Sequence, residues 1–189
     1  MASPLRTFVG LELSAATKAA VSRLIERLQS SNANVRWTAP ENLHITLKFL
    51  GDVQMTSVAA ICRAVTAAAT PVAPFRVSLG GAGAFPDINR PRVLWLGVKG
   101  GSDSLIALHA RVEQELAQLS FPFEARKFTP HITLGRVRGP SAELTPQLEK
   151  NADFPAEETL VNEVVVYSSE LTSDGPHYSP LGRAKLVGE

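Results

Sequence analysis

The tetrapeptide His-Ile-Thr-Leu occurs twice, at residues 44–47 and again, 87 residues later, at 131–134. Successive side chains on a strand point to opposite faces. His44 and Thr46 therefore share one face, with Ile45, Leu47 and Phe49 on the other; the second copy sets His131 and Thr133 against Ile132 and Leu134. Each strand would bury an apolar face and offer an imidazole beside a hydroxyl. Paired imidazoles suit the hydrolysis of a phosphodiester. A neutral ring can take a proton from water while a protonated one gives a proton to the leaving oxygen, and an unperturbed pKa of about 6.5 keeps both forms accessible. Attack and departure at phosphorus are in line, so the rings must stand on opposite sides of it. The threonine hydroxyls can donate to the non-bridging oxygens. A five-membered cyclic phosphate fits such a site, because it needs only water, a base and an acid. A single H-x-T triplet carries little information; two identical tetrapeptides half a chain apart carry much more. With no H-x-H, no HExxH and no Cys/His cluster, neither a metal nor any other cofactor is expected.

Several residues around the motifs are candidates for substrate contact. Lys48 shares parity with His44 and Thr46 and is expected at the rim of the site. Arg136 lies five residues beyond His131, on the opposite face of an undistorted strand; a bulge permitted by Gly135 would re-aim it toward phosphate. Arg126 and Lys127 form a basic pair ahead of the second motif, suited to RNA backbone. Phe85 sits in a Gly/Pro-rich stretch beside Arg90 and Arg92, where an aromatic could stack a base or anchor the loop in the core. His109 and His177 have no partner motif and read as ordinary flank or turn residues. Trp37 and Trp95 read as packing residues.

The elements that must position these groups alternate along the chain. Leu5–Leu13 reads as a strand, and Ser14 as the N-cap of a helix to about Ser30, with Val21, Leu24, Ile25 and Leu28 on one stripe. Short strand character at Val35–Thr38 precedes Pro40, and Leu43–Leu50 carries the first motif. Gln54–Ala69 reads as helix, Phe75–Leu79 as strand, Gly80–Pro91 as a long loop, Arg92–Val98 as strand and Ser102–Leu119 as helix. A strand starting near His131 lies within Phe128–Val137, and Ser141–Lys150 reads as a short helix. Two closing strands, Thr159–Ser168 and Tyr178–Val187, are joined by a turn at Thr172–Pro176. Short connections between neighbouring strands favour an α+β architecture over a doubly wound parallel sheet, and the repeat suggests two related lobes with one motif each.

Composition narrows the class. The 189 residues suit one domain or two closely packed lobes, and 44% hydrophobic with 20% charged residues is ordinary for a globular chain. A formal charge of +1 argues against a long sequence-independent DNA footprint but leaves short RNA ends or a single phosphate group open. The lone Cys62 excludes an intrachain disulfide and reads as a small core residue. No stretch approaches the ~20 apolar residues of a membrane span, and residues 1–12 lack a signal-peptide run. A cytoplasmic, monomeric protein is the expectation.

At these residues the sequence resembles the 2H phosphoesterase superfamily, named for its two H-x-T motifs, and within it the RNA 2′,3′-cyclic phosphodiesterases, also called 2′-5′ RNA ligases. The resemblance covers nearly the whole chain: Arg6-Thr7-Phe8-Val9, Trp37, PENLHITLKFLGDV at 40–53, RPRVLWLGV at 90–98, FTPHITLGR at 128–136 and SSELTSDGPHYSPL at 168–181. It implies a bilobal α+β fold in which two pseudo-symmetric lobes of largely antiparallel sheet, with flanking helices, surround a central cleft. It implies hydrolysis of an RNA 2′,3′-cyclic phosphate to a 2′-phosphomonoester, with His44 as proton donor and His131 as acceptor, and a secondary, reverse 2′-5′ ligation of RNA ends. By inspection alone the two motifs are equivalent. The second continues Leu-Gly-Arg where relatives often have Leu-Ala-Arg, which leaves Arg136 in place. Tyr178 falls at a family position near the cleft, with core packing the alternative. Competing readings are a phosphodiesterase for small cyclic nucleotides or for ADP-ribose 1″,2″-cyclic phosphate, and a non-catalytic nucleotide- or RNA-binding module.

Overall fold

The computed structural model describes residues 4–173 and 175–189; Met1–Ser3, and Asp174 of the expected turn, lie outside them. The described elements are β1 (Leu5–Glu12), α1 (Ala15–Gln29), β2 (Val35–Trp37), β3 (His44–Val53), α2 (Val58–Ala69), β4 (Phe75–Phe85), β5 (Val93–Gly100), α3 (Ser102–Ala117), β6 (His131–Val137), α4 (Leu144–Lys150), β7 (Pro155–Val161), β8 (Glu163–Thr172) and β9 (Gly175–Lys185). Ser14 caps α1 as expected, its Oγ accepting the Thr17 backbone N–H at 3.1 Å. Val21, Leu24, Ile25 and Leu28 form the buried stripe of that helix.

The strands form one nine-stranded sheet in the order β7-β4-β5-β6-β3-β1-β8-β9, with β2 pairing beside β6. All of the pairings given by register are antiparallel, which is the α+β architecture expected. The two motif strands are neighbours at the centre, and each begins a half-sheet. One half is β3-β1-β8-β9 and the other is β6-β5-β4-β7. Neither half is a contiguous half of the sequence: the closing hairpin β8–β9 returns to the first half, beside β1. Helices cross between halves. α1 packs against β7 and α4 of the second half, while α2 and α3 pack on each other, on β8 and β9, and on β3. The main core lies under the helices, with Ile45 and Ile132 both fully buried in it.

Three boundary expectations fail. The turn expected at Thr172–Pro176 is shorter, and His177 is not a turn residue but lies in β9 opposite Glu170. Gly80–Phe85 is not loop but the second part of β4, paired with β5. Its glycines serve close packing: a Cβ on Gly83 would stand 2.4 Å from the Trp95 ring, and Gly81 bends the strand at a φ of +74°. The span Thr159–Ser168 is two strands, β7 and β8, broken at Asn162. The extension of β4 was hidden by its glycines, which read as loop punctuation, and the break between β7 and β8 by a β-branched run that only Asn162 interrupts.

Candidate active site

The motif strands share one local design. Residues 44–50 and 131–137 show the same alternation of burial, with the two residues after the threonine both buried and the next one exposed. Register gives the cause. Val9 pairs with Lys48 and Gly10 with Thr46, so Leu47 is an extra residue in β3; Leu94 pairs with Gly135 and Trp95 with Thr133, so Leu134 is an extra residue in β6. Each bulge inverts the parity beyond it. Arg136 is thereby turned onto the face of His131, as the sequence argument required, although the extra residue is Leu134 and not Gly135.

The same inversion overturns the expectation for Lys48 and Phe49. Lys48 is 6% exposed and lies on the core face, where its Nζ donates to Glu113 Oε1 at 2.6 Å and to the Pro122 carbonyl at 2.7 Å. It is a structural cation behind the strand, not part of the rim. Phe49 leaves the core face and stands 62% exposed, its ring 6.0 Å from that of Phe8.

β3 and β6 meet with Ile45 opposite Ile132. That antiparallel register sets His44 across from Thr133 and Thr46 across from His131, on strands whose paired Cα atoms stand roughly 5 Å apart. The four motif side chains thus gather on the face away from the core. In both motifs the carbonyl two residues upstream holds the imidazole. His44 Nδ1 lies 2.6 Å from the Asn42 oxygen, and His131 Nδ1 lies 2.7 Å from the Thr129 oxygen. A carbonyl only accepts, so Nδ1 carries the proton and Nε2 is the nitrogen that the backbone leaves unprotonated in the neutral ring. His44 Nε2 also meets Thr46 Oγ1 at 3.0 Å. Each ring is buttressed by an aromatic edge. Tyr178 stands 5.3 Å from His44 at 89°, and Phe85 stands 5.1 Å from His131 at 79°. Phe8 adds a further face to His44 at 4.8 Å.

Electrostatics push both rings toward the neutral form. Burial lowers the pKa of His44 below 6.5; the Asn42 carbonyl opposes this, and the charges of His131 and Lys18 add to it. Burial likewise lowers His131, opposed by the Thr129 carbonyl and reinforced by Arg136. Each ring retains an acceptor that supports its protonated form, so a bound anion can restore the charge. Depressions flank the pair: one of about 120 Å³ includes His44, Tyr167 and Tyr178, and one of about 360 Å³ runs beside Trp95, Gly97, Thr129 and Pro130.

The structure therefore brings together His44, Thr46, His131, Thr133, Arg136, Phe85 and Tyr178. Arg90 and Arg126 are exposed and make no side-chain contact with the histidines among the described residues; Arg90 contributes only its backbone N–H, to Asp87. Phe85 ends a strand and does not ride on a loop. His109 is not a simple flank residue, since it stacks on Phe128 at 4.0 Å and sits 3.7 Å from Glu113. Sequence reasoning missed Asn42, Thr129, Phe8 and Phe49. The first two were legible in principle, because each lies two residues before its histidine. No group of three or more His, Cys, Asp or Glu residues that could hold a metal ion occurs among the described residues.

Comparison with known proteins shows the family. Residues 16–172 match the model of the 2′-5′ RNA ligase superfamily. The chain belongs to that superfamily. The chain is similar to RNA 2′,3′-cyclic phosphodiesterases of Thermotoga maritima, 34% identical with 97% of both chains covered, and of Methanothermobacter thermautotrophicus, 36% identical over 93% of this chain and 96% of that one. Among solved structures, a Thermus thermophilus protein superposes with a TM-score of 0.83 at 26% identity, covering 98% of this chain and 100% of the other. The 2′-5′ RNA ligase fold of this chain also matches E. coli LigT complexed with 3′-AMP, with a TM-score of 0.75, 26% identity and coverage of 98% and 99%.

Proposed function

We propose that this member of the superfamily hydrolyses RNA 2′,3′-cyclic phosphate ends to 2′-phosphomonoesters by two-histidine acid–base catalysis without a metal. The observation that carries the reading is the pair of imidazoles on adjacent bulged strands, each with Nδ1 fixed to a backbone carbonyl and Nε2 left for proton transfer. His131 Nε2 takes a proton from water as its oxygen attacks phosphorus. His44 Nε2–H gives its proton to O3′ as the P–O3′ bond breaks, leaving the phosphate on O2′ and a free 3′-hydroxyl. This order of roles follows the family resemblance, and Arg136 supports it by favouring neutral His131. Thr46, Thr133 and Arg136 hold the non-bridging oxygens, where their hydrogen bonds act against charge developing in a partly dry site. The names of the relatives and the nucleotide and phosphate complexes of E. coli LigT support the substrate class. With a 5′-hydroxyl end in place of water, the same machinery would form a 2′-5′ linkage.

All of these residues come from one chain, so a monomer suffices, and a reducing cytoplasm suits its single cysteine. No helix of the described residues is long and apolar enough to cross a membrane. The test is product analysis on a 2′,3′-cyclic-ended oligonucleotide. His44→Ala and His131→Ala should each lower kcat by about 10²–10⁴-fold with the fold intact, and a chelator should have no effect. Normal turnover by either variant, or a 3′-phosphate product, would overturn the reading.

A further inference from the structure

Exposed arginines surround the two histidines. Arg36 on β2 is the direct cross-strand partner of Arg136 on β6. Like charges directly opposite one another are unfavourable unless something between them is negative. The Arg36 guanidinium extends to the start of β9, where a Cβ on Gly175 would stand 3.3 Å from its nitrogen. That strand start is latched to the first motif by the Asn42 side chain, which donates to the Pro176 carbonyl at 2.7 Å. From β1 comes Arg6, two residues before Phe8, whose ring meets the edge of Tyr178 at 4.9 Å. Arg6, Arg36 and Arg136 all act on the Tyr178 hydroxyl, opposing the rise in its pKa that burial causes. All three are exposed, and none forms an ion pair among the described residues. By contrast, Arg183, near the Lys18–Glu12 pair, is matched with Glu12 and Glu163.

Resting on the phosphodiesterase reading above, we propose that Arg36 and Arg6, which approach Tyr178 from β2 and β1, bind the phosphodiester immediately 5′ to the terminal nucleotide. Arg136 stands nearest His131 and serves the cyclic phosphate, while the outer two arginines take the next charge along the chain. The enzyme is then built for an RNA end and not for a free cyclic mononucleotide. Guanidinium groups suit this role, since they grip phosphate with paired hydrogen bonds.

The experiment compares adenosine 2′,3′-cyclic phosphate with the dinucleotide ApA ending in a 2′,3′-cyclic phosphate, and with that dinucleotide carrying an uncharged methylphosphonate linkage. The wild-type chain should favour the charged dinucleotide over the other two by about ten-fold or more in kcat/KM, the worth of one charge-assisted contact. Arg36→Gln and Arg6→Gln should each erode that preference, with a greater loss on the dinucleotide than on the mononucleotide, while Arg36→Lys keeps part of it. The methylphosphonate substrate makes the comparison in the unaltered protein, so misfolding of a variant does not decide the matter. Equal kcat/KM for the charged and uncharged dinucleotides would overturn the proposal while leaving the phosphodiesterase reading standing. If none of the three is hydrolysed, that reading fails. Calorimetric binding of ApA 3′-phosphate against 3′-AMP then judges the arginine site independently, equal affinities overturning it.

Discussion

Asn42 and Thr129 meet the histidines through their backbone oxygens alone, and those oxygens decide which nitrogen of each ring carries the proton. Because burial lowers both imidazoles, the proposed acid and base of the free enzyme both titrate below the ordinary 6.5. The bell-shaped profile of kcat/KM should therefore peak on the acid side of pH 6.5; a maximum above pH 7 would contradict the burial argument. A bound phosphate favours the protonated ring, so the kcat profile should sit to the alkaline side of the kcat/KM profile. Removing the Arg136 charge raises the pKa of His131. Arg136→Gln should thus displace the limb governed by the base toward higher pH, besides lowering kcat/KM through loss of the proposed phosphate contact. The direction of that displacement separates an electrostatic role from a purely steric one.

At the scale of elements, the bulges at Leu47 and Leu134 govern which residues share the face of the histidines. Alternation correctly placed His44, Thr46, His131 and Thr133, because these precede the extra residue. It misplaced Lys48 and Phe49, because they follow it. A bulge has no residue signature in Leu-Lys-Phe, and a lysine in an alternating strand gives no sign that its partner is a buried glutamate 65 residues away. That partner ties β3 to α3 and to the segment leading into the second motif, for Glu113 Oε2 accepts the Glu124 backbone N–H at 3.1 Å. Glu113→Ala leaves Lys48 buried without its counter-charge and should cost about 3–5 kcal/mol of stability by denaturant unfolding. The double variant Lys48→Met/Glu113→Leu should recover most of that loss, and no recovery would mean the pair is not the source. Gly83→Ala probes the neighbouring strand, where the added methyl meets Trp95. Since Trp95 faces Thr133 across β5 and β6, the variant should lower kcat as well as stability, the latter by about 1–3 kcal/mol.

Over the whole molecule, crossed helix packing joins the two half-sheets through one core. Unfolding followed by tryptophan fluorescence and by far-ultraviolet circular dichroism should give one coincident transition. Burial lowers His44, His109 and His131. Below pH 6.5 the unfolded chain therefore binds more protons than the folded one, and stability falls as pH drops through that region. A Tm at pH 5 equal to or above that at pH 7.5 would contradict this. The internal two-fold likeness of the half-sheets has a final consequence. Two matched strands facing one another would by themselves admit a guest in either sense, head to tail or tail to head. The positions just past the two bulges differ, with Phe49 after one and Arg136 after the other. One motif strand thus presents a ring and the other a cation at the equivalent position, and this mismatch makes the two halves of a duplicated scaffold inequivalent.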